Sequence, residues 1–434
     1  MKIALTADPD LPVPPALYGG IERIVDMLAR GLEARGHAVT LFAHPGSESA
    51  GRLVGWPGRA ARSRADTARN AATLARHVLG GGYDIVHAFS RIATLTALLP
   101  PGLPKIMTYQ RAVTPRTVRL GHALSRGSLS FTAVSEWMMA GVRSVGRWHM
   151  VPNGVPLARY SATREVPPDA PLVFLGRIEA IKGPHLAIDI AREAGVPLVI
   201  AGNVPAGQGD WFDAHIAPHI DGTRVRYVGP VDDAAKNALL GRARALLMPI
   251  LWDEPFGIVM AEALACGTPV LGTRRGAVPE VVDDGVTGYV RDTAEALAAA
   301  VPLLGRLDRA ACRRAVEARY SDDAVVEAYL AVYRERLAGR AYRWAPRPPP
   351  PLFPERLPGA LPVPPPRAVP HGRGRSPRRC EPSSKTATWR TASPPGRSGR
   401  PSSSATAASS AAVGAGCRSR RPSSSRSSRR WALR

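Results

Sequence analysis

Short apolar runs alternate with stretches of helical apolar spacing along the first 340 residues. The run KIALTA at the N-terminus has the length of one buried strand, and the glycine pair Gly19-Gly20 follows it. Apolar residues then repeat at helical spacing until Gly36, where a helix is expected to end, and HAVTLFA returns to a strand pattern. The pattern predicts strand, glycine loop, helix and strand.

The same alternation continues through both halves of this region. The further strand patterns are YDIVHAFS, KIMTYQ, LSFTAVS and HMVPNGV, then PLVFLGRI, PLVIAGN, TRVRYVG, ARALLMPI and GTPVLGT. Helical patterns separate them, and a last helix is predicted from about 322 to 338. Strands that alternate with amphipathic helices favour parallel sheets covered on both faces. We therefore predict an α/β fold of two Rossmann-like domains, 1–155 and 156–340, with a ligand cleft beyond the carboxyl ends of the strands.

The composition changes abruptly near residue 343. Residues 341–434 contain 19 Lys and Arg but only 2 Asp and Glu, so most of the formal net charge of +23 lies there. This segment is rich in Pro, Ser and Arg and has too few apolar residues to offset its ordering entropy. We expect a disordered tail that makes weak contacts with polyanions or a membrane surface, or an extension without a function.

The spacing of the cysteines indicates the cellular compartment of the protein. The four of them form no CxxC pair and no disulfide framework, and no apolar run is long enough to span a membrane. We expect a cytoplasmic protein, with a peripheral location at the membrane as the alternative.

The stretch DEPFGIVMAE carries two carboxylates eight positions apart, Glu254 and Glu262. The helical pattern is predicted to run from Phe256 to Ala265, so Glu254 precedes the helix and Glu262 lies within it. A helix N-terminus beside Gly257 can bind an anion through backbone N–H groups and the helix dipole. The two carboxylates can then accept hydrogen bonds from hydroxyls on either side of that anion, which is the pattern that a sugar nucleotide presents.

The segment LGRIEAIKG, at the end of the first strand of the second half, carries two cations. Arg177 and Lys182 belong to a loop that faces the same cleft if the sheet is parallel, where they could stabilise a departing diphosphate. Gly19 and Gly20 would supply a second set of backbone donors. A solvated cation pair and a chance glycine turn are the alternatives.

Several of these motifs resemble one family. EPFGIVMAE is similar to the E-x7-E signature of retaining glycosyltransferase family 4 on the GT-B fold, and ALACGTPVLGTRRGAVPEVVDDGVTGYV to its continuation. Arg177 and Lys182 match the R-x4-K of the family's donor site. YGGIERIVDMLARGLEARGHAVTLFA, AVSEWM and VPNGV resemble its N-terminal motifs.

The resemblance implies a role for each matching position. Glu254 would bind hydroxyls of the donor sugar, together with the backbone of Phe256, Gly257 and Ile258, and Glu262 would bind the ribose. Arg177 and Lys182 would hold the diphosphate, which Gly19 and Gly20 approach from the other domain. It further implies sugar transfer, with retention at the anomeric carbon, from a UDP-, GDP- or ADP-linked donor to an acceptor hydroxyl, and neither a metal nor another cofactor.

One departure concerns acid–base chemistry. Many family members have a histidine where this chain has Gln110, and glutamine cannot accept a proton. His87 matches another histidine that is frequent in the family, and the alternative is a strand-end residue bonded to a neighbour. Two other functions remain open, a GT-B-type sugar-nucleotide epimerase and a catalytically inactive relative with a polyanion-binding tail. A Rossmann dehydrogenase is disfavoured because no G-x-G-x-x-G follows the first strand.

Overall fold

The computed structural model describes residues 1–16 and 19–338, so the basic segment 341–434 lies outside the described residues. None of the described helices combines the length and the apolar character that a membrane-spanning helix needs. The strands are β1 (Lys2–Thr6), β2 (Ala38–Ala43), β3 (Arg52–Gly55), β4 (Ile85–Ala88), β5 (Lys105–Tyr109), β6 (Leu129–Ala133), β7 (Trp148–Met150), β8 (Leu172–Leu175), β9 (Leu198–Ala201), β10 (Val225–Tyr227), β11 (Ala245–Met248), β12 (Val270–Thr273) and β13 (Gly288–Arg291). The α-helices are α1 (Gly20–Ala34), α2 (Arg64–Gly80), α3 (Pro115–Ser125), α4 (Pro184–Glu193), α5 (Gly209–His215), α6 (Asp233–Gly241), α7 (Ile258–Ala265), α8 (Val278–Val281), α9 (Ala294–Ala300), α10 (Arg309–Arg319) and α11 (Asp322–Leu337).

The strands form two sheets in which every pairing is parallel. The first has seven strands in the order β3-β2-β1-β4-β5-β6-β7, and the second has six in the order β10-β9-β8-β11-β12-β13. The prediction of two Rossmann-like parallel sheets is confirmed. The strand order reverses between β1 and β4 and between β8 and β11, and the loops that leave such neighbouring strands diverge to form a crevice where ligands bind.

All the strand patterns assigned from the sequence are strands in the structure, and two further strands occur. β3 and β13 have four residues each. Neither was assigned a strand of its own, and β3 is an edge strand with partly exposed residues. An edge strand that is half exposed does not need the apolar run by which a buried strand is recognised.

The last helix, α11, packs on the first sheet although it follows the second sheet in sequence. A Cβ atom on Gly31 of α1 would lie 2.5 Å from Cγ2 of Val326, so glycine is needed where the two helices touch. Tyr329 and Tyr333 are fully buried in the core that contains β1 and β4. The chain returns from the second half to the first next to the segment by which it left, since the N–H of Val155 donates to the carbonyl of Tyr320 at 2.8 Å. Two segments of the chain therefore connect the two halves, one near Val155 and one near Tyr320.

Helix α7 begins two residues later than the sequence predicts. Gly257 precedes the helix with φ 75° and ψ 69°, in the left-handed region that favours glycine. Pro255 and Phe256 consequently belong to the preceding loop. Glu254 precedes the helix and Glu262 lies within it, as expected.

Candidate functional site

The crevice of the second sheet brings two predicted loops together. The loop after β8 contains Arg177 and Lys182, and the loop after β11 contains Glu254 and Phe256; the two strands are direct neighbours. A Cβ atom on Gly183 would lie only 2.0 Å from the carbonyl oxygen of Pro249, so the loops touch at a point that only glycine allows. Strand order alone therefore explains how residues some seventy positions apart become neighbours.

Lys182 and Glu254 form an ion pair at this crevice. Nζ of Lys182 lies 2.5 Å from Oε2 of Glu254, and Nε1 of Trp252 donates to the same oxygen at 3.1 Å. The ammonium group also lies 4.7 Å from the centre of the Trp252 ring, within the range of a cation–π contact. Both charged side chains are largely buried. Trp252 therefore contacts both members of the Lys182–Glu254 pair and helps to hold them in place.

Arg177 belongs to the same loop and pairs with a different carboxylate. Its Nη2 lies 2.7 Å from Oε1 of Glu179. The N–H of Ile178 donates to the carbonyl of Asn203 at 2.9 Å and ties this loop to the end of β9. The Arg177 side chain as a whole is about one third exposed.

The N-terminus of α7 faces the glycine loop of the first domain. A Cβ atom on Gly20 would lie 3.3 Å from Cδ1 of Ile258, the first residue of α7. Gly19 caps α1 with φ 155° and ψ 78°, and a Cβ there would lie 2.7 Å from Pro15. Glycine is therefore required at position 19 by its positive φ and by its own loop, whereas a side chain at position 20 would press on the Ile258 side chain of the other domain.

Polar contacts also join the two domains close to the start of α7. Ser135 Oγ donates to the carbonyl of Pro255 at 2.6 Å, and Trp137 Nε1 donates to the carbonyl of Glu254 at 3.0 Å. The N–H groups of Glu136 and Trp137 donate to the Glu280 carboxylate at 2.7 and 2.9 Å. Burial raises the pKa of Glu280 despite these bonds. The loop after β6 therefore holds the segment that carries the predicted site.

Glu262 faces a separate group of charged residues. It is 6% exposed, and its Oε1 accepts hydrogen bonds from Tyr160 OH at 2.8 Å and Lys236 Nζ at 2.5 Å. Lys236 also lies 3.2 Å from Asp233, which pairs with Arg23 of α1 at 2.7 Å. Burial, followed by the Glu262 charge, raises the pKa of Tyr160, which keeps its hydroxyl protonated. A chain of alternating charges thus runs from the second carboxylate of the motif to the first domain.

This carboxylate lines a cavity of about 300 Å³. Helix α1, residues 154–160 and the start of α11 form most of its wall, while Ile258 and Glu262 contribute from α7. Lys236 and Tyr160 did not emerge from the sequence, because a lysine inside a helical pattern and a tyrosine in a loop carry no signal of a shared partner. Among the predicted donor-site residues, Ile258 and Glu262 are the two that line this cavity.

His87 lies in the interior of the first domain. It is 0% exposed on β4, with Nδ1 2.6 Å from Tyr333 OH and Nε2 2.6 Å from Thr108 Oγ1. Burial lowers its pKa to about 3. Both ring nitrogens are engaged by hydroxyls, which favours the alternative of a strand histidine bonded to its neighbours over a catalytic role.

Gln110 at the end of β5 forms a reciprocal amide pair with Asn153. The two N–H···O distances are 2.7 and 2.8 Å, with the amide orientations assigned from this network. Asn153 lies in the loop after β7, so the pair ties two loops of the first domain together. The pair uses one N–H and one carbonyl lone pair of Gln110 and leaves one of each for another partner.

Two acidic residues of the first domain were not assigned to the site. Asp8 follows β1 and Glu22 lies in the first turn of α1, and each is 5% exposed. Burial is the main cause that raises the pKa of both carboxyl groups. Arg111 lies 3.4 Å from Asp8. The side of the cleft formed by the first domain therefore contains buried acids, whereas the other side contains Lys182 and Arg177.

Comparison with known proteins agrees with this architecture. Residues 18–159 match the family model described as Glycosyltransferase Family 4, and residues 162–319 match Glycosyl transferases group 1. A phosphatidyl-myo-inositol mannosyltransferase of Mycobacterium leprae is 27% identical over 377 residues, which cover 80% of this chain and 94% of that enzyme. A glycogen synthase of Mycobacterium tuberculosis is 38% identical over 180 residues, or 39% of this chain, and the match spans only 42% of that enzyme's length. The crystal structure of AviGT4, a glycosyltransferase involved in avilamycin A biosynthesis, superposes with a TM-score of 0.61 at 29% identity and covers 78% of this chain and 98% of AviGT4.

Two parallel α/β domains with a cleft between them define the GT-B architecture, and the relatives that share it here are glycosyltransferases. The two family models together match more than two thirds of the sequence. The chain belongs to glycosyltransferase family 4.

Proposed function

We propose that this protein transfers a sugar from a nucleoside diphosphate donor to an acceptor hydroxyl, with retention at the anomeric carbon. The observation that carries the proposal is the Lys182–Glu254 pair in the crevice of the second sheet, in the loops that meet before the N-terminus of α7. A cation, backbone N–H groups and a carboxylate suit the diphosphate and the adjoining sugar hydroxyls of one ligand. The names of the mycobacterial relatives are consistent with hexose transfer.

The diphosphate is assigned to the N–H groups at the start of α7. Gly257 has no side chain to obstruct it, and Lys182 and Arg177 offer positive charge from the neighbouring loop. Glu254 accepts hydrogen bonds from the sugar, and Glu262 accepts them from the ribose. Tyr160 and Lys236 both donate to Oε1 of Glu262, and we assign Oε2 to the ligand.

In the proposed reaction, negative charge develops on the departing diphosphate. The bond between the anomeric carbon and the diphosphate oxygen breaks, and its electron pair leaves with the diphosphate. A new bond forms between that carbon and the acceptor oxygen on the same face of the sugar. Because Gln110 is not a base and His87 is enclosed, we assign the acceptor proton to the leaving diphosphate. Lys182 and Arg177 supply the stabilisation that a metal ion could otherwise provide.

The assignment is tested by titrating UDP, GDP and ADP into the protein and into its Lys182→Met and Arg177→Gln variants by calorimetry. Loss of one charge-assisted contact should weaken binding by about 1 to 3 kcal/mol. Arg226→Gln, which removes an exposed charge on the edge strand β10, serves as the matched control and should have no effect. Unchanged affinity in both site variants would contradict the cation assignment.

Turnover is tested separately from binding. A panel of nucleotide sugars is incubated with the protein, and the released nucleoside diphosphate is measured with and without candidate hydroxyl acceptors. Glu254→Gln should abolish release while retaining nucleotide binding, because its partners are sugar hydroxyls. A protein that binds nucleotides but releases no diphosphate from any sugar would instead be a catalytically inactive relative.

A further inference from the structure

Three consecutive residues of the first domain bind the second domain beside the predicted sugar site. Ser135, Glu136 and Trp137 follow β6, and each donates a hydrogen bond to the second domain. Ser135 Oγ donates to the carbonyl of Pro255 at 2.6 Å, and Trp137 Nε1 donates to the carbonyl of Glu254 at 3.0 Å. These two bonds therefore fix the peptide groups on both sides of Pro255, directly after the carboxylate that we assign to the donor sugar.

The carbonyl of Glu254 accepts one hydrogen bond from each domain. The N–H of Ala277, in the second domain, donates to it at 2.9 Å, in addition to the indole of Trp137. Gly276 packs against the same residue, because a Cβ atom there would lie 2.3 Å from N and 2.4 Å from O of Glu254. A carbonyl oxygen has two lone pairs and can accept both bonds. The first domain thus adds a second donor to the one that the second domain supplies.

The carboxylate of Glu280 makes the reverse contact, from the second domain to the first. Its oxygens accept the N–H groups of Glu136 at 2.7 Å and of Trp137 at 2.9 Å. These N–H groups lie at the start of the short 3-10 helix Trp137–Met139, where backbone donors need acceptors from outside the helix. The segment that packs against Glu254 therefore also holds the residue whose indole binds it. We use the name clasp for Ser135, Glu136, Trp137 and Glu280.

The clasp is buried and needs both domains. Ser135 is 1% exposed, and a buried hydroxyl that loses its partner costs more free energy than its hydrogen bond contributes. The four hydrogen bonds join residues that are 117 to 144 positions apart in the sequence. Separation of the two domains would break all four together. The Glu254–Pro255 segment would then keep only the contacts of its own domain.

We propose that the clasp positions Glu254 for the donor sugar, which makes Ser135, Trp137 and Glu280 positioning residues that act on the sugar through Glu254. This inference rests on the proposed function, because it takes Glu254 as the acceptor of hydrogen bonds from the sugar.

Both ends of Glu254 are held when the clasp is formed. Lys182 and Trp252 bind its carboxylate, and the clasp binds its main chain. A side chain that is fixed at both ends keeps few conformations, so its oxygens stay in the geometry that the reaction requires. Loss of the clasp leaves the carboxylate in place but frees the backbone from which it extends.

The clasp makes the two parts of the donor depend on different contacts. Arg177 and Lys182 belong to the second domain, and so does the start of α7, so the diphosphate can bind without the clasp. The sugar is oriented only when the first domain is also in contact. Binding of the nucleotide can therefore precede closure of the domains, whereas the reactive geometry forms after it.

The test compares a nucleotide sugar with its nucleoside diphosphate, since only the sugar depends on Glu254. UDP-glucose with UDP, GDP-mannose with GDP, and ADP-glucose with ADP are titrated into the full chain by calorimetry, and the ratio of the two affinities measures what the sugar adds. Trp137→Phe removes the indole N–H but keeps an aromatic ring, and Ser135→Ala removes one hydroxyl. Each should lower that ratio and lower kcat about tenfold, with the diphosphate affinity unchanged.

Matched controls remove the same groups inside the first domain. Trp148→Phe removes an indole N–H that donates to the carbonyl of Val145 at 2.8 Å. Ser128→Ala removes a buried hydroxyl that donates to the carbonyl of Ser125 at 2.6 Å. Both controls should leave the affinity ratio and kcat unchanged. Urea unfolding of all four variants shows whether a loss of stability is shared by test and control.

The variant Glu254→Gln separates failure of this inference from failure of the proposed function. If Glu254→Gln lowers the affinity ratio while both clasp variants match their controls, the inference is overturned and the proposed function stands. If the clasp variants weaken the diphosphate as much as the nucleotide sugar, the clasp holds the domains together without acting on the sugar, which also overturns the inference. If Glu254→Gln leaves the ratio unchanged, or none of the three nucleotide sugars binds, the proposed function fails and this inference fails with it.

Discussion

Replacing Lys236 with methionine tests whether the buried charge chain stabilises Glu262. In the native protein, Lys236 is 11% exposed and Glu262 is 9% exposed by side chain, and their charged atoms are 2.5 Å apart. Methionine keeps the length and the apolar stem of lysine but removes its charge. Glu262 would then keep the hydrogen bond from Tyr160 and lose its counter-ion.

The expected loss of stability follows from this geometry. Breaking one partner of a buried ion pair costs about 3 to 5 kcal/mol because the other charge is left uncompensated. We expect the lower end, about 3 kcal/mol, since Tyr160 still donates to Glu262 and Asp233 still pairs with Arg23 at 2.7 Å. Glu262→Gln should cost less, about 2 kcal/mol, because Lys236 retains Asp233 at 3.2 Å.

Urea unfolding of the wild type, both single variants and the double variant Lys236→Met/Glu262→Gln measures the coupling. Since the double variant leaves neither charge unpaired, its loss should fall short of the sum of the single losses by about 2 kcal/mol. Additivity within about 0.5 kcal/mol would refute a direct interaction between the two side chains. Nucleoside diphosphate affinity, measured on the same four proteins, should fall in every variant if Glu262 binds the ribose.

Three further predictions concern other parts of the structure. The pKa of the His87 imidazole is about 3 in the folded protein, against an ordinary value of 6.5. Below pH 6.5 the unfolded chain therefore binds a proton at His87 that the folded chain does not bind. The contribution of His87 to the free energy of unfolding falls by about 1.4 kcal/mol for each pH unit between pH 6.5 and about pH 3. His87→Gln should remove that slope from urea unfolding curves, and the exposed His122→Gln should not. Gly20→Val should lower turnover about a hundredfold through contact with Ile258, with a far smaller effect from Gly20→Ala; equal activity of both would contradict the narrow gap. Gly257→Ala should reduce stability by about 1 to 2 kcal/mol in urea unfolding because alanine at φ 75° is strained, and an unchanged midpoint would argue against this backbone conformation.

The sequence predicted the sheets well because their strands are buried on both faces. Runs such as VFL in β8 and LLM in β11 are uninterrupted apolar stretches, and parallel pairing follows from the helices between them. The same reasoning predicts that Arg177 and Lys182 face the same cleft as Glu254 if the sheet is parallel, and the Lys182–Glu254 contact agrees with this prediction. Strand order was not predicted, and it alone makes β8 and β11 neighbours.

What the sequence could not supply was the partner of each buried polar side chain. His87 and Gln110 both occupy strand ends, and by position alone each was a plausible participant in acid–base chemistry. The partner of His87 is Tyr333, 246 residues further along the chain, on a helix that returns from the second half to pack against the first sheet. The partner of Gln110 is Asn153, in a loop 43 residues away. Local pattern carries no information about either contact, since both depend on which distant segments the fold brings together. Because these two side chains are bonded to their neighbours, the better candidates for acid–base chemistry on the first domain are the carboxyl groups of Asp8, after β1, and Glu22, beside the glycine pair, whose pKa values are raised mainly by burial.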